Sequence, residues 1–208
     1  MKFFAIERIN LLQQFIKKGK LLDYGCGNGW FLNNARKFYK SYGFEPTKHL
    51  ALLSSKIKDV EVETDTSKFK SSSFDIITSF DVIEHVPDPV QDLREYHRLL
   101  KKNGIVLIYT PNEDSVAFKQ MRENQNLISP PIHLHYFNKK SIIELCKKKF
   151  SLIYFKTAGL DIGDMYAFER DLGDKKFAKF LYKNHQNLQT MLDNLSLGNH
   201  LRAIIKKN

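Results

Sequence analysis

The sequence predicts an α/β protein, a mostly parallel sheet with helices on both faces. Three observations carry this. A short apolar run, Lys20–Tyr24, passes into glycines at alternate positions, Gly25, Gly27 and Gly29, and then into an amphipathic stretch. A second short run ends on Glu45, twenty residues after Gly25. Ile105–Tyr109 is unbroken apolar sequence, the pattern of a central parallel strand buried on both faces. A length of 208 residues fits one domain with modest additions, and 42% hydrophobic residues can build a sizeable core.

The elements follow in order. Phe4, Ile9, Leu12 and Ile16 recur at helical spacing, so residues 3–17 predict an N-terminal helix within a 1–19 segment. Lys20–Tyr24 is the first strand, Trp30–Tyr39 a helix and Ser41–Glu45 the second strand. Pro46 and Thr47 open a helix reaching about Ser54, with Thr47 as its N-cap. Val60–Glu63 and Phe74–Phe80 are strands, the latter after a Ser71-Ser72-Ser73 turn. Pro89–Leu100 is a helix stopped by Asn103-Gly104, before the Ile105–Tyr109 strand. The segment 113–140 is too long for a plain connection and marks an active-site loop. Ser141–Lys149 predicts a helix, Phe150–Thr157 a strand, and 163–196 a helical insertion broken at Gly173. Gly198–Ile205 forms the last strand. No repeat or linker divides the chain, so 1–208 is read as a single domain with a cofactor-binding core over 20–112.

The glycine loop carries the first chemical signal. Glycine lets backbone approach a ligand closely, and the following helix presents unpaired N–H groups to it. Glu45, ending a second parallel strand at this spacing, is placed to accept hydrogen bonds from both ribose hydroxyls. The dinucleotide fingerprint is G-x-G-x-x-G, whereas this loop reads G-x-G-x-G with Trp30 where a third glycine would stand. Asp23 would repel a phosphate and suits a cation such as an amino-acid ammonium. Ribose on one side and an α-amino acid on the other describe S-adenosylmethionine. An NAD-type oxidoreductase remains the alternative enzyme class, and a non-catalytic nucleotide-binding module the alternative outside enzymes.

Four ordered blocks now resemble one family. Leu21–Gly29 resembles the first motif of class I S-adenosylmethionine-dependent methyltransferases, and Gly43-Phe44-Glu45-Pro46 is similar to their second. Phe74–Val86 resembles their fourth-strand block, and Leu99–Asn112 their helix, glycine turn and fifth strand. The likeness is closest to ubiquinone-biosynthesis O-methyltransferases and methyltransferases of polysaccharide clusters. Those share a Glu-His-Val-x-x-Pro segment, here from Glu84, and a late segment similar to His133-Leu134-His135-Tyr136-Phe137. The resemblance implies a Rossmann-like seven-stranded sheet with an antiparallel last strand and a helical insertion before it. It implies cofactor contacts at Asp23, Tyr24, Gly25, Cys26, Gly27, Asn28, Gly29, Glu45 and Pro46, and beside the fourth strand at Ser79, Phe80 and Val82. It places Asp65 or the Thr66 N–H near the adenine, although Thr64-Asp65-Thr66-Ser67 departs from the usual Gly-Asp-Ala.

Histidine exchanges protons near neutral pH, so His85, His133 and His135 are the candidate catalytic or acceptor-binding residues. His133 and His135 alternate, so in extended backbone both point one way. Asp81 and Glu84 are the nearby acids, but no full ligand set is evident and no metal is expected. His49, His97, His185 and His200 lack supporting context. Tyr166 and Phe168 of the insertion are expected to wall the acceptor pocket.

The net charge of +10 raises nucleic acid or anionic membrane as partners, but the lysines are dispersed in pairs and triples and form no basic arm. Ser129-Pro130-Pro131-Ile132 is misplaced for an amino-methylating DNA enzyme, and no Pro-Cys pair exists for cytosine chemistry. The expected acceptor is a small molecule bearing a hydroxyl, a sugar or related metabolite, with a phenol of quinone-type synthesis next and RNA or protein after it. No apolar run approaches the roughly 20 residues of a membrane span. Two cysteines, Cys26 and Cys146, far apart, together with an N-terminus lacking an uninterrupted apolar core, read as a reduced, cytoplasmic protein.

Overall fold

The computed structural model describes residues 2–208. Its centre is one sheet of seven strands: β1 (Lys20–Tyr24), β2 (Lys40–Phe44), β3 (Glu61–Glu63), β4 (Phe74–Phe80), β5 (Leu100–Pro111), β6 (Phe150–Ala158) and β7 (His200–Lys207). Their spatial order is β3-β2-β1-β4-β5-β7-β6. Neighbours from β3 to β5 are parallel, and β7 runs antiparallel to both β5 and β6. The chain leaves β1 toward β3 on one side and returns to β4 on the other. The carboxyl ends of β1 and β4 therefore flank a topological switch point, where open α/β sheets bind ligands.

Alternation along the strands explains two-sided burial. Leu22, Ile77, Val106, Ile108 and Ile205 face one core, with Leu93, Tyr96 and Leu99 of α4 (Pro89–Leu99) and Ile142 of α6 (Lys139–Cys146). Leu21, Ile76, Ile105, Leu107 and Ile204 face the other, with Ala5, Ile9 and Leu12 of α1 (Lys2–Gln13) and Leu32 and Ala35 of α2 (Leu32–Ala35). A third cluster joins Ala117 and Met121 of α5 (Val116–Met121), Ile162 and Met165 of α7 (Asp161–Asp171), and Leu181 and Leu192 of α8 (Lys175–Asn194).

Several element bounds differ from the sequence expectation. The helix expected over 30–39 shrinks to α2, because the flanking residues turn to bury Phe31 and Tyr39. The N-terminal helix stops at Gln13, and α7 begins at Asp161, two residues before the insertion expected from 163. β5 starts at Leu100, directly after α4. The residues expected to stop the helix instead form an irregularity against β4, with Asn103 at φ +64°. Thr47 precedes α3 (Lys48–Ser54) but makes no side-chain cap; its N–H donates to Glu45 Oε1 at 2.9 Å. Among the described residues, no helix is long and apolar enough to cross a membrane.

Candidate functional site

The glycine loop leaves β1 at the switch point. Gly25 has φ +77°, and a Cβ there would lie 2.6 Å from Val82 Cγ2, so this position is fixed by packing on the turn after β4. Gly27 differs: at φ +54°, its Cβ would meet nothing within 4 Å. The loop thus has one open cradle where ligand can lie against backbone. Glu45 borders it. Its Oε2 accepts from Gly27 N–H at 2.9 Å, and both oxygens keep lone pairs for ribose hydroxyls. Asn28 and Pro46 are exposed beside the cradle.

Other expected residues contribute differently. The Tyr24 hydroxyl donates to Asp92 at 3.1 Å and Ser79 pairs with Tyr96 at 3.0 Å, so both hydroxyls are engaged by α4. Asp65 is occupied by Ser67, whose N–H and hydroxyl donate to it at 2.8 and 2.7 Å. Burial pushes the Cys26 thiol up to about 12, which keeps it neutral.

Asp23 is buried, and its carboxylate accepts from the Thr78 hydroxyl at 2.7 Å. Burial raises its pKa to about 7, against the pull of Thr78 and Arg8. Arg8 is a functional candidate that the sequence reading passed over. Its guanidinium lies over Phe80, Tyr109 and Trp30 at 4.2, 4.3 and 4.9 Å from the ring centroids. Its Nε and Nη1 are buried without a hydrogen-bond partner. A buried acid and a buried cation with free donors, at the mouth of one open loop, match the ammonium and carboxylate of an amino acid. The signal was present: Ala5, Ile9 and Leu12 form the buried stripe of α1, and Arg8 falls on it.

Past β4, the turn from Val82 to His85 meets the loop after β5. Leu134 and His135 donate backbone N–H groups to Glu84 O at 2.7 and 3.2 Å. This brings the His85 and His133 rings to 4.7 Å between centroids. Their Nδ1 atoms lie 2.9 and 2.7 Å from the carbonyls of Ile132 and Leu127, which makes Nδ1 the donor and leaves Nε2 with the lone pair. Glu84 is buried, its Oε2 held by Thr110 at 2.9 Å and its Oε1 unpartnered. Burial pushes its pKa up to about 7. Glu84, His85 and His133 each place a ligand atom within 4.8 Å of the others, a set that one divalent cation can touch. His135 stands apart, its ring beside Phe137 and its Nε2 buried without a partner.

A cavity of about 430 Å³ opens at the same end of the sheet. Arg8, Asp81, Tyr109, Asn126, Leu127 and His200 are among the residues lining it. His200 was missed because nothing near it in sequence signals chemistry; its place comes from β7 starting at the carboxyl end of β5. Tyr166 and Phe168 do not wall this cavity. Tyr166 packs on Tyr182 at 5.5 Å, and Phe168 faces the core of the insertion, because α7 turns that side onto α8.

The methyltransferase-domain family matches residues 3–149, more than two thirds of the chain. The chain belongs to this family. Among its relatives is an uncharacterised protein of Methanocaldococcus jannaschii, 28% identical over 67% of this chain and 68% of the relative. A ubiquinone biosynthesis O-methyltransferase of Pelagibacter ubique is 29% identical over 64% of this chain and 61% of its own length. The alignment with that enzyme thus spans less than two thirds of it. Among solved structures, a Thermotoga maritima S-adenosylmethionine-dependent methyltransferase, described as a possible histamine N-methyltransferase, superposes with a TM-score of 0.66. It is 19% identical, with all of this chain and 90% of that one covered, so the likeness is one of fold. Membership makes the chain an enzyme that moves methyl groups, and the family's match runs from α1, which carries Arg8, through the glycine loop and the His133 segment.

Proposed function

We propose that the protein transfers a methyl group from S-adenosylmethionine to a hydroxyl of a small molecule. The observation that carries this is a set of complementary groups: Glu45, bonded to Gly27, for ribose, the buried Asp23 for the ammonium, and the unpartnered Arg8 donors for the carboxylate. When bound, the donor supplies a methyl made electrophilic by its sulfonium. The chain's own task is positioning and exclusion of water. The Trp30, Phe80 and Tyr109 rings wall the Arg8 end, and Asp81 and Asn126 offer polar groups to an acceptor in the adjoining cavity.

A sugar or a related polyhydroxylated metabolite is the first reading, supported by the hydrogen-bonding side chains of Asp81, Asn126 and Asp164 among an otherwise largely apolar lining. A phenolic acceptor is the second reading, supported by the name of the Pelagibacter relative. Calorimetry with S-adenosylmethionine, S-adenosylhomocysteine and NAD tests the donor; preference for NAD refutes it. Labelled methyl transfer to a nucleotide sugar, a catechol and bulk RNA tests the acceptor. Methylation of RNA alone refutes the small-molecule reading, and donor binding without transfer to any of the three refutes the acceptor classes proposed.

A further inference from the structure

We propose that His200 takes the acceptor's proton, with its Nε2 lone pair held toward the cavity by Asn199. This rests on the methyl-transfer reading of that cavity. His200 opens β7, opposite Pro111 of β5 and Ala158 of β6, so it stands at the ligand-binding end of the sheet. It lines the cavity together with Arg8 and Asp81, the residue that follows β4.

The tautomer follows from hydrogen bonds. Asn199 Nδ2 donates to Asp164 Oδ2 at 3.0 Å, and Leu160 N–H donates to Asn199 Oδ1 at 3.2 Å. These two partners fix which end of the amide is which. Oδ1 also lies 3.0 Å from His200 Nδ1. An amide oxygen only accepts, so Nδ1 carries the ring proton and Nε2 is bare. Nε2 is 4.0 Å from Asp81 Oδ1, too far for a hydrogen bond and near enough to stabilise an imidazolium. Asp81 itself sits at φ +54°, in the left-handed region that aspartate adopts more readily than most residues.

The surroundings keep the ring neutral before reaction. Burial lowers the His200 pKa, Arg8 of α1 and Arg202 of β7 act in the same direction, and Asp81 and Asp161 of α7 oppose them. Asp164 reaches the ring through Asn199. As the acceptor oxygen bonds to the methyl carbon, the carbon–sulfur bond breaks with its electron pair going to sulfur. The hydroxyl proton passes to Nε2, and the imidazolium so formed faces Asp81.

Two measurements on the full chain test this. In ¹⁵N-histidine-labelled protein with S-adenosylhomocysteine, two-bond nitrogen–proton correlation at pH 7, assigned with His200→Gln, is expected to show neutral Nδ1–H imidazole. An Nε2–H tautomer, or imidazolium, overturns the proposal. In methyl transfer to a catechol and to a nucleotide sugar, His200→Gln and His200→Asn should lower kcat at least about 100-fold, within the usual range for a lost general base. They should also remove the acidic limb of the kcat–pH profile and leave S-adenosylhomocysteine affinity within about twofold. Wild-type rates in either folded variant overturn the role. A wild-type protein inert toward both probes instead refutes the acceptor chemistry proposed above, a result distinguishable from failure of His200.

Discussion

Asp23 is a carboxyl group poised to change charge when a ligand arrives. Burial sets its pKa at about 7, above the value of about 4 in an unfolded chain. A raised carboxyl contributes stability that is complete below about pH 4 and is lost as pH rises through 7. An ammonium beside it reverses that preference. S-adenosylmethionine affinity should therefore rise from pH 6 to pH 8, with release of up to one proton at pH 6. Calorimetry in two buffers of different ionisation enthalpy reads this directly, and a pH-independent affinity refutes it. Arg8→Leu should weaken binding by about 1.5–3 kcal/mol, the scale of a hydrogen bond to a charged group. A decarboxylated analogue of the donor should bind both proteins equally. Glu45→Ala should cost a similar amount in donor affinity, about 1.5–3 kcal/mol, and Glu45→Gln less. Unchanged affinity in Glu45→Ala refutes its ribose contact.

At the scale of elements, the loop from β5 to α6 joins the turn after β4 through two hydrogen bonds to the Glu84 carbonyl. The His85–His133 pair is thus a product of two segments meeting. His133→Ala, which frees the carbonyl of the cavity-lining Leu127, should raise the acceptor KM more than it lowers kcat, whereas His135→Ala, at a ring tilted against Phe137 and apart from the pair, should do neither. Equal effects of the two substitutions on acceptor KM would contradict this division. The sheet and the glycine loop were legible because strand alternation, turn glycines and an acid at fixed spacing are local signals. Arg8 was legible only as a charge on an apolar stripe. His200 and the Asp81 conformation were not legible, since their meaning comes from β7 crossing to the far side of β5. The packing of Tyr166 onto α8 was equally hidden, because it depends on which side α8 covers.

At the scale of the molecule, the proposed cofactor and acceptor regions lie at one end of the strands, and the proposed cofactor groups come from α1, β1, β2 and β4. A ligand tying these together stabilises the folded state by mass action. S-adenosylhomocysteine at about 100 times its Kd should add about 2.7 kcal/mol, or roughly 5–11 °C in Tm for a chain of this size. NAD at the same concentration should add little, and an equal shift would count against the donor assignment. The net charge of +10 is spread over this frame and is not gathered on the cavity, where Asp81, Asp164 and Asp193 offset Arg8 and Arg202.

The insertion of β7 between β5 and β6 has a consequence for how the protein is made. A ribosome delivers β1 through β6 first, so the apolar strand β5 waits with one side unpaired while α7 and α8 are still being synthesised. The strands that carry the glycine loop and Glu45 are complete by then. The sheet is completed only when residues 200–207 emerge, pair with β5, give β6 its partner strand, and bring His200 to Asp81. On the assignments proposed above, a nascent chain stalled before that point carries the residues for the methyl donor and lacks His200.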